Sequence, residues 1–192
     1  MGLGVRANGT LPAVAVIPLK GLDHAKSRLG DVLSRDERAE LALRMLAGVI
    51  AACQEAGLGV CVISPDPQAR AEAARLGAET LDDGGLDLSG AVSLGLARYA
   101  AADAVLAIAA DLPFVTADDV RELLDLAHPL VVAAAPDGTT NAAAARPPSA
   151  LVPSYGPGSA ARHGGLQVHL PRLAQDLDTP ADLASWRASL CA

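Results

Sequence analysis

An α/β fold, with a mostly parallel sheet flanked by helices on both faces, is what this sequence predicts. Short apolar runs of strand length alternate with stretches of helical periodicity along most of the 192 residues. The strand runs are apolar throughout, as strands covered on both faces are. Hydrophobic residues make up 51% of the chain and charged residues 19%. That balance excludes a disordered polypeptide and suffices for one domain with a sizeable core.

Residues 1–12 read as a flexible leader, and residues 13–192 as a single domain. Residues 13–17 (AVAVI) form a β-branched run that ends at Pro18, and predict the first strand. Ser34, with Glu37 three residues on, is a capping box. It opens a helix in which Leu41, Met45, Val49 and Cys53 recur at helical spacing up to Gly57. Residues 59–63 (GVCVI) predict the second strand, followed by SPD and a helix through Ala74. A third strand is expected at 78–81, a turn at DDGGLD, and a helix over 88–100. Residues 104–109 (AVLAIA) predict the most buried strand, which runs into Asp111-Leu112-Pro113. A helix from Thr116 to Ala127 and a strand over 130–134 complete the regular alternation. Beyond Pro136 the pattern changes. Residues 137–170 read as an excursion from the sheet, with a strand at 150–152 and the glycine-rich turn YGPGS. The tail, LAQDLDTPADLASWRASL, predicts a strand end and then a capped helix.

Composition narrows the function. The formal net charge is -7 and aromatics are only 2%. Such a chain repels a polyanion and lacks stacking platforms, so nucleic acid is excluded as a partner. No run is long and apolar enough to span a membrane and no signal core opens the chain, which predicts a cytoplasmic protein without a membrane partner. Cys53, Cys61 and Cys191 are odd in number and widely spaced, so neither a disulfide framework nor a zinc site is indicated. His24, His128, His163 and His169 show no mutual spacing that suggests a metal site or a triad, and His163 reads as structural.

In open α/β sheets, ligands bind outside the carboxyl ends of the strands. The polar residues that follow the predicted strands are therefore the site candidates. Lys20, Lys26 and Arg28 follow the first, Ser64 and Asp66 the second, and Asp111 the fourth. Asp111 closes a fully apolar strand, where a carboxylate must be solvated, paired or bound to a metal. Asp176 and Asp178 flank Leu177, so in an extended segment both point the same way. Two carboxylates facing together call for a cation, and magnesium suits oxygen ligands with substrate phosphates. A second role for Asp178 stays open, because Thr179, Pro180 and Asp182 spell a helix start. The first connection lacks both GxGxxG and GxxxxGK[ST], so it is neither a dinucleotide fingerprint nor a P-loop. GPGS, leading into Ser159, is either a plain turn or an anion nest.

Taken in order, IPLKGLDHAKSRLG, SPD, ADLP, DGTTN, YGPGSAARH and DLDTPADL resemble the 2-phospholactate/phosphoenolpyruvate guanylyltransferase family. That family acts in assembly of a redox 5-deazaflavin coenzyme. The resemblance covers nearly the whole chain from Val14 and implies a nucleotide-diphosphosugar-transferase-like (GT-A type) three-layer sandwich. It implies that Asp111, Asp176 and Asp178 bind magnesium as cofactor, and that Thr140, Gly156 and Ser159 hold the phosphorylated acid. Lys20, Lys26 and Arg28 match its basic residues around the triphosphate and acceptor phosphate. Lys20, Ser64, Asp66 and Asp87 are read as facing the nucleotide. GLD at Gly85–Asp87 stands where relatives more often carry GLN, so Asp87 is either a base contact or a turn residue. The implied partners are GTP and a small phosphorylated three-carbon acid: phosphoenolpyruvate, favoured here, 2-phospho-L-lactate or 3-phospho-D-glycerate. The implied reaction moves GMP onto the acid's phosphate and releases pyrophosphate. A molybdopterin or sugar-phosphate nucleotidyltransferase, and a non-catalytic nucleotide-binding protein, are the alternatives. The oligomeric state, a homodimer included, stays open.

Overall fold

The computed structural model describes residues 12–189. The leader expected over residues 1–12 thus falls, but for Pro12, outside the described residues, as does Cys191. Seven strands and six α-helices follow in the order β1 (Val14–Pro18), α1 (Arg35–Glu55), β2 (Gly59–Ile63), α2 (Pro67–Arg75), β3 (Glu79–Leu81), α3 (Leu88–Arg98) and β4 (Val105–Ile108). Then come α4 (Ala117–Asp125), β5 (Leu130–Ala134), β6 (Thr140–Ala145), α5 (Ser159–His163), β7 (Leu166–Val168) and α6 (Pro180–Ser189). The strands form one sheet in the order β3-β2-β1-β4-β6-β5-β7. All pairings are parallel except those of β6, which runs against β4 and β5. Among the described residues, no helix is long and apolar enough to cross a membrane.

Side-chain alternation along the strands builds two faces. Ala15 and Ile17 of β1 and Val60 and Val62 of β2 point with Leu106 and Ile108 of β4 to one side. There they meet Leu46, Val49, Ile50 and Cys53 of α1 and Val120 and Leu123 of α4. On the other side, Val14, Val16, Cys61 and Ile63 pack against Ala91 of α3 and Tyr99 beyond it. Farther along that face, Ala107, Val132 and Ala143 pack against Val92 of α3 and Ala160 of α5. The molecule is the three-layer sandwich that the alternation predicts. Helix starts obey the capping chemistry read from the sequence. Ser34 and Glu37 form their box at α1, and Thr116 with Asp119 forms another at α4.

The segment after Pro136 departs from expectation. Instead of leaving the sheet, the chain turns at Gly138 (φ 80°) and enters β6, whose six residues are all buried. Asp137 shapes the turn by accepting from the backbone N–H and hydroxyl of Thr139. The strand expected at 150–152 is absent, and a 3-10 turn over Pro148–Ala150 takes its place. The tail before α6 makes no sheet ladder, yet Leu177 N–H bonds Asp111 O at 3.3 Å and seats that stretch against the end of β4. This placement decides where the carboxylates go.

Candidate active site

Five chain segments converge beyond the carboxyl ends of β1 and β4. β6 runs antiparallel, so its first residue, Thr140, arrives at the edge where its neighbours end. The register pairs Ile108 with Ala142, which sets Thr140 beside the segment leading to Asp111. A cavity of about 310 Å³ opens there. Pro18 lines it from the end of β1, Lys20 and Lys26 from the first connection, Asp111 and Asp178 from below, and Thr140 and Tyr155 from the far wall. Its apolar floor includes Met45 and Ile108.

Asp111, Asp176 and Asp178 each offer a carboxylate oxygen, and those atoms lie within 4.8 Å of one another. Leu177 between the last two is fully buried, in a cluster with Leu29, Met45 and Trp186. That anchor orients its neighbours as the alternation predicts. The donor set is all hard oxygen, the chemistry that fits magnesium. Burial, then the charges of Asp111 and Asp178, push the Asp176 carboxyl above the usual aspartate range, which marks a site with excess negative charge. Asp176 faces a neighbouring cavity of about 340 Å³, so the cluster stands between two spaces. The Asp178 carboxylate bonds Lys26 and Arg28 rather than the start of α6. Asp182 accepts from the N–H groups of Asp178 and Thr179, and Thr179 Oγ1 in turn accepts from Asp182 N–H.

Lys26 sits inside this cluster. Its Nζ lies 2.6 Å from Asp111 Oδ2 and 2.9 Å from Asp178 Oδ1, and its side chain is 7% exposed. Burial alone would lower its pKa; the two carboxylates outweigh that and raise it. Lys26 also adopts left-handed backbone angles (φ 50°, ψ 42°), a conformation that costs a residue with a Cβ roughly 1 kcal/mol. Arg28 NH1 bonds Asp178 Oδ2 at 3.2 Å from an exposed position. Lys20 is exposed and lines the cavity without entering the cluster.

Thr140 and Ser159 meet behind the far wall, with 3.1 Å between hydroxyls. Gly156 (φ 114°) makes the turn next to Tyr155 that a side chain would strain. The anion nest considered for GPGS is filled by the protein itself. Ser159 N–H bonds Gly156 O, and Ala160 N–H bonds Gly138 O. Three further candidates make local structural bonds. Ser64 is fully buried and its hydroxyl accepts from Asp66 N–H. Asp66 caps α2 through Gln68 and Ala69 and accepts from Leu22 N–H at 2.9 Å, so it shapes the first connection from behind. Asp87 caps α3, accepting from Gly90 N–H at 2.7 Å. None of these three is among the cavity-lining residues. Cys53 and Cys61 are buried, and burial pushes the Cys53 thiol up to about 12, which removes it as a nucleophile.

Sequence reasoning passed over Tyr155 of the far wall and gave His163, behind it, no named partner. His163, read as structural, bonds Thr140; Tyr155, on the same turn, lines the cavity itself. Both lie within YGPGSAARH, but spacing alone says nothing of a partner twenty-three residues away on β6.

Known proteins resemble this chain over most of its length. Residues 13–169 match a family described as guanylyl transferase CofC like. A phosphoenolpyruvate guanylyltransferase of Sphaerobacter thermophilus is 41% identical over 90% of this chain and 91% of its own. One of Rubrobacter xylanophilus is 44% identical over 91% of this chain and 93% of its own. A crystal structure from Desulfovibrio desulfuricans G20, of a protein described provisionally as a nucleotide-diphospho-sugar transferase, superposes with a TM-score of 0.69. It covers 89% of this chain and 84% of that one at 19% identity, and shares the fold.

Proposed function

This chain belongs to the CofC-like guanylyl transferase family, and from that premise we propose that it transfers GMP from GTP to the phosphate of phosphoenolpyruvate. The observation that carries the reading is the convergence of Asp111 and Asp178 with Lys26 and Thr140 around the cavity, with an Asp176 carboxylate oxygen within 4.8 Å of those of the other two acids. The relatives' named substrate supports the choice of acid, and the 5-deazaflavin coenzyme is its proposed destination.

In the proposed reaction, a phosphate oxygen of the acid attacks the α-phosphorus of GTP. A P–O bond forms, the bond to the β-phosphate bridge breaks, and pyrophosphate leaves with that electron pair. A phosphomonoester is largely ionised near neutral pH, so no protein base is needed. The difficulty is electrostatic, because two anions must meet in line. The cluster of Asp111, Asp176 and Asp178 would hold magnesium, whose chemistry there is neutralisation of phosphate charge. Lys20, exposed at the mouth, meets charge on the triphosphate. Lys26 bridges Asp111 and Asp178 at 2.6 and 2.9 Å, and holds the two carboxylates in register. Arg28 offers a second cation at the rim. Thr140, on the opposite wall, holds the acid, and the buried Ser159 backs it through the bond between their hydroxyls.

The test is direct. Purified protein is incubated with GTP, magnesium and, in turn, phosphoenolpyruvate, 2-phospho-L-lactate and 3-phospho-D-glycerate, with product masses and pyrophosphate read out. A guanylylated phosphoenolpyruvate formed fastest supports the reading. No adduct with any acid, or equal turnover with ATP, overturns it.

A further inference from the structure

The far wall of the cavity holds a hydrogen-bonded chain whose proton positions follow from one backbone group. His163 Nε2 lies 2.9 Å from the amide nitrogen of Ser154. A backbone N–H can only donate, so Nε2 presents its lone pair, and a neutral imidazole then carries its proton on Nδ1. Nδ1 lies 3.0 Å from Thr140 Oγ1 and therefore donates to it. Ser159 Oγ lies 3.1 Å from the same oxygen. Two hydroxyls that share one hydrogen bond hold one surplus O–H between them. Ser159 is wholly buried, whereas Thr140 lines the cavity. With Nδ1–H and Ser159 O–H both donating to Thr140, its oxygen is filled and its own proton points away from both.

We propose that His163 is a positioning residue: through Nδ1–H it fixes Thr140 as a hydrogen-bond donor toward the anionic phosphorylated acid. The inference rests on the function proposed above and adds what selects the acid, since a hydroxyl locked as donor favours an anionic oxygen.

The surroundings keep the imidazole in this state. Thr140 faces the ring from β6, and Ser154 and Tyr155 from the preceding loop. Tyr155 makes an edge contact with 4.9 Å between centroids. Arg162, on the same helix, donates to Ser154 O, Tyr155 O and Pro157 O, so it braces the loop while its charge acts on the ring. Burial first, and then Arg162, hold the His163 pKa below the ordinary histidine value. Protonation would set a second N–H against the Ser154 amide, donor facing donor.

The test separates positioning from packing by steady-state kinetics on His163→Phe, Thr140→Val and the double variant, each with a thermal melt. His163→Phe is expected to raise KM for phosphoenolpyruvate roughly ten-fold or more, the scale of one hydrogen bond to a charged group. KM for GTP should hold. Thr140→Val should do the same, and the double variant should be no worse than either single, because both remove one unit. Multiplying effects, or an equal loss for GTP, overturn the inference. Should His163→Phe melt below the assay temperature, His163→Asn and His163→Gln replace it. The shorter amide restores an N–H near Nδ1, so a lower KM for Asn than for Gln supports positioning, and equal values overturn it. Nitrogen-15 shifts of the His163 ring in the unliganded protein provide a readout independent of turnover. A protonated Nε2 overturns the inference even in an active enzyme. A wild type inactive with every acid, yet showing the Nδ1–H tautomer, would instead sink the proposed reaction and leave the proton placement standing.

Discussion

Asp178 and Asp87 illustrate how one residue type divides between chemistry and capping. Both precede a helix, yet Asp87 accepts from Gly90 N–H of α3, while at α6 that task falls to Thr179 and Asp182. Asp178→Asn, like Asp111→Asn, should therefore reduce turnover at least a hundred-fold with a melting temperature close to wild type. A cap removal would instead cost about 0.5–2 kcal/mol and spare activity. Asp87→Ala is expected to show that second pattern, a lower Tm with the GTP-to-ATP ratio unchanged. Nucleotide competition run beside the melts checks both. A ratio that narrows in Asp87→Ala would return that side chain to the base. Asp176 carries the opposite signature. Its folded pKa lies above the unfolded value, so its ionisation weakens the fold as pH rises through that folded pKa. At neutral pH without metal, Asp176→Asn should raise Tm while turnover is lost, a site residue held against stability.

At the scale of elements, helix α3 owes its seat to Gly95. A Cβ there would lie 2.5 Å from Val16 Cγ1 and 3.0 Å from Ile63 Cδ1, both on fully buried side chains of the sheet. Gly95→Ala should destabilise by about 1–3 kcal/mol through overpacking, partly offset by roughly 1 kcal/mol of helix propensity. Denaturant unfolding measures the net, and a gain in stability would mean that α3 can move outward freely. The stretch carrying Asp176 and Asp178 depends likewise on Leu177. Leu177→Ala should cost about 2–5 kcal/mol, and kcat should fall further than stability explains, because the two flanking carboxylates lose their common anchor. Strands β1, β2 and β4 were legible because their β-branched runs match buried parallel strands. Strand β6 was not. TNAAAA has neither alternation nor β-branched bulk beyond Thr140, and alanine is depleted in strands. Its place between β4 and β5 is set by partners on both sides.

Across the whole molecule, the site is assembled from both ends of the chain. Lys26 meets Asp111 at a separation of 85 residues and Asp178 at 152. Magnesium held by this cluster would stabilise only the folded state, so adding it should raise Tm by several degrees at concentrations well above its dissociation constant. Chelation should reverse the shift, and Asp176→Asn should abolish it; a shift that persists in the variant would place the metal elsewhere. The sequence by itself determined the α/β class, the helix starts and which acids and cations stand at strand ends. These features are written in local spacing, through burial periodicity, capping and the carboxyl-edge rule. Tertiary structure alone decided that Asp66 and Asp87 cap helices, that β6 brings Thr140 to the cavity and that His163 stands behind it. Those outcomes depend on which partner reaches a group first across the fold, and a side chain's neighbours in sequence carry no record of that competition.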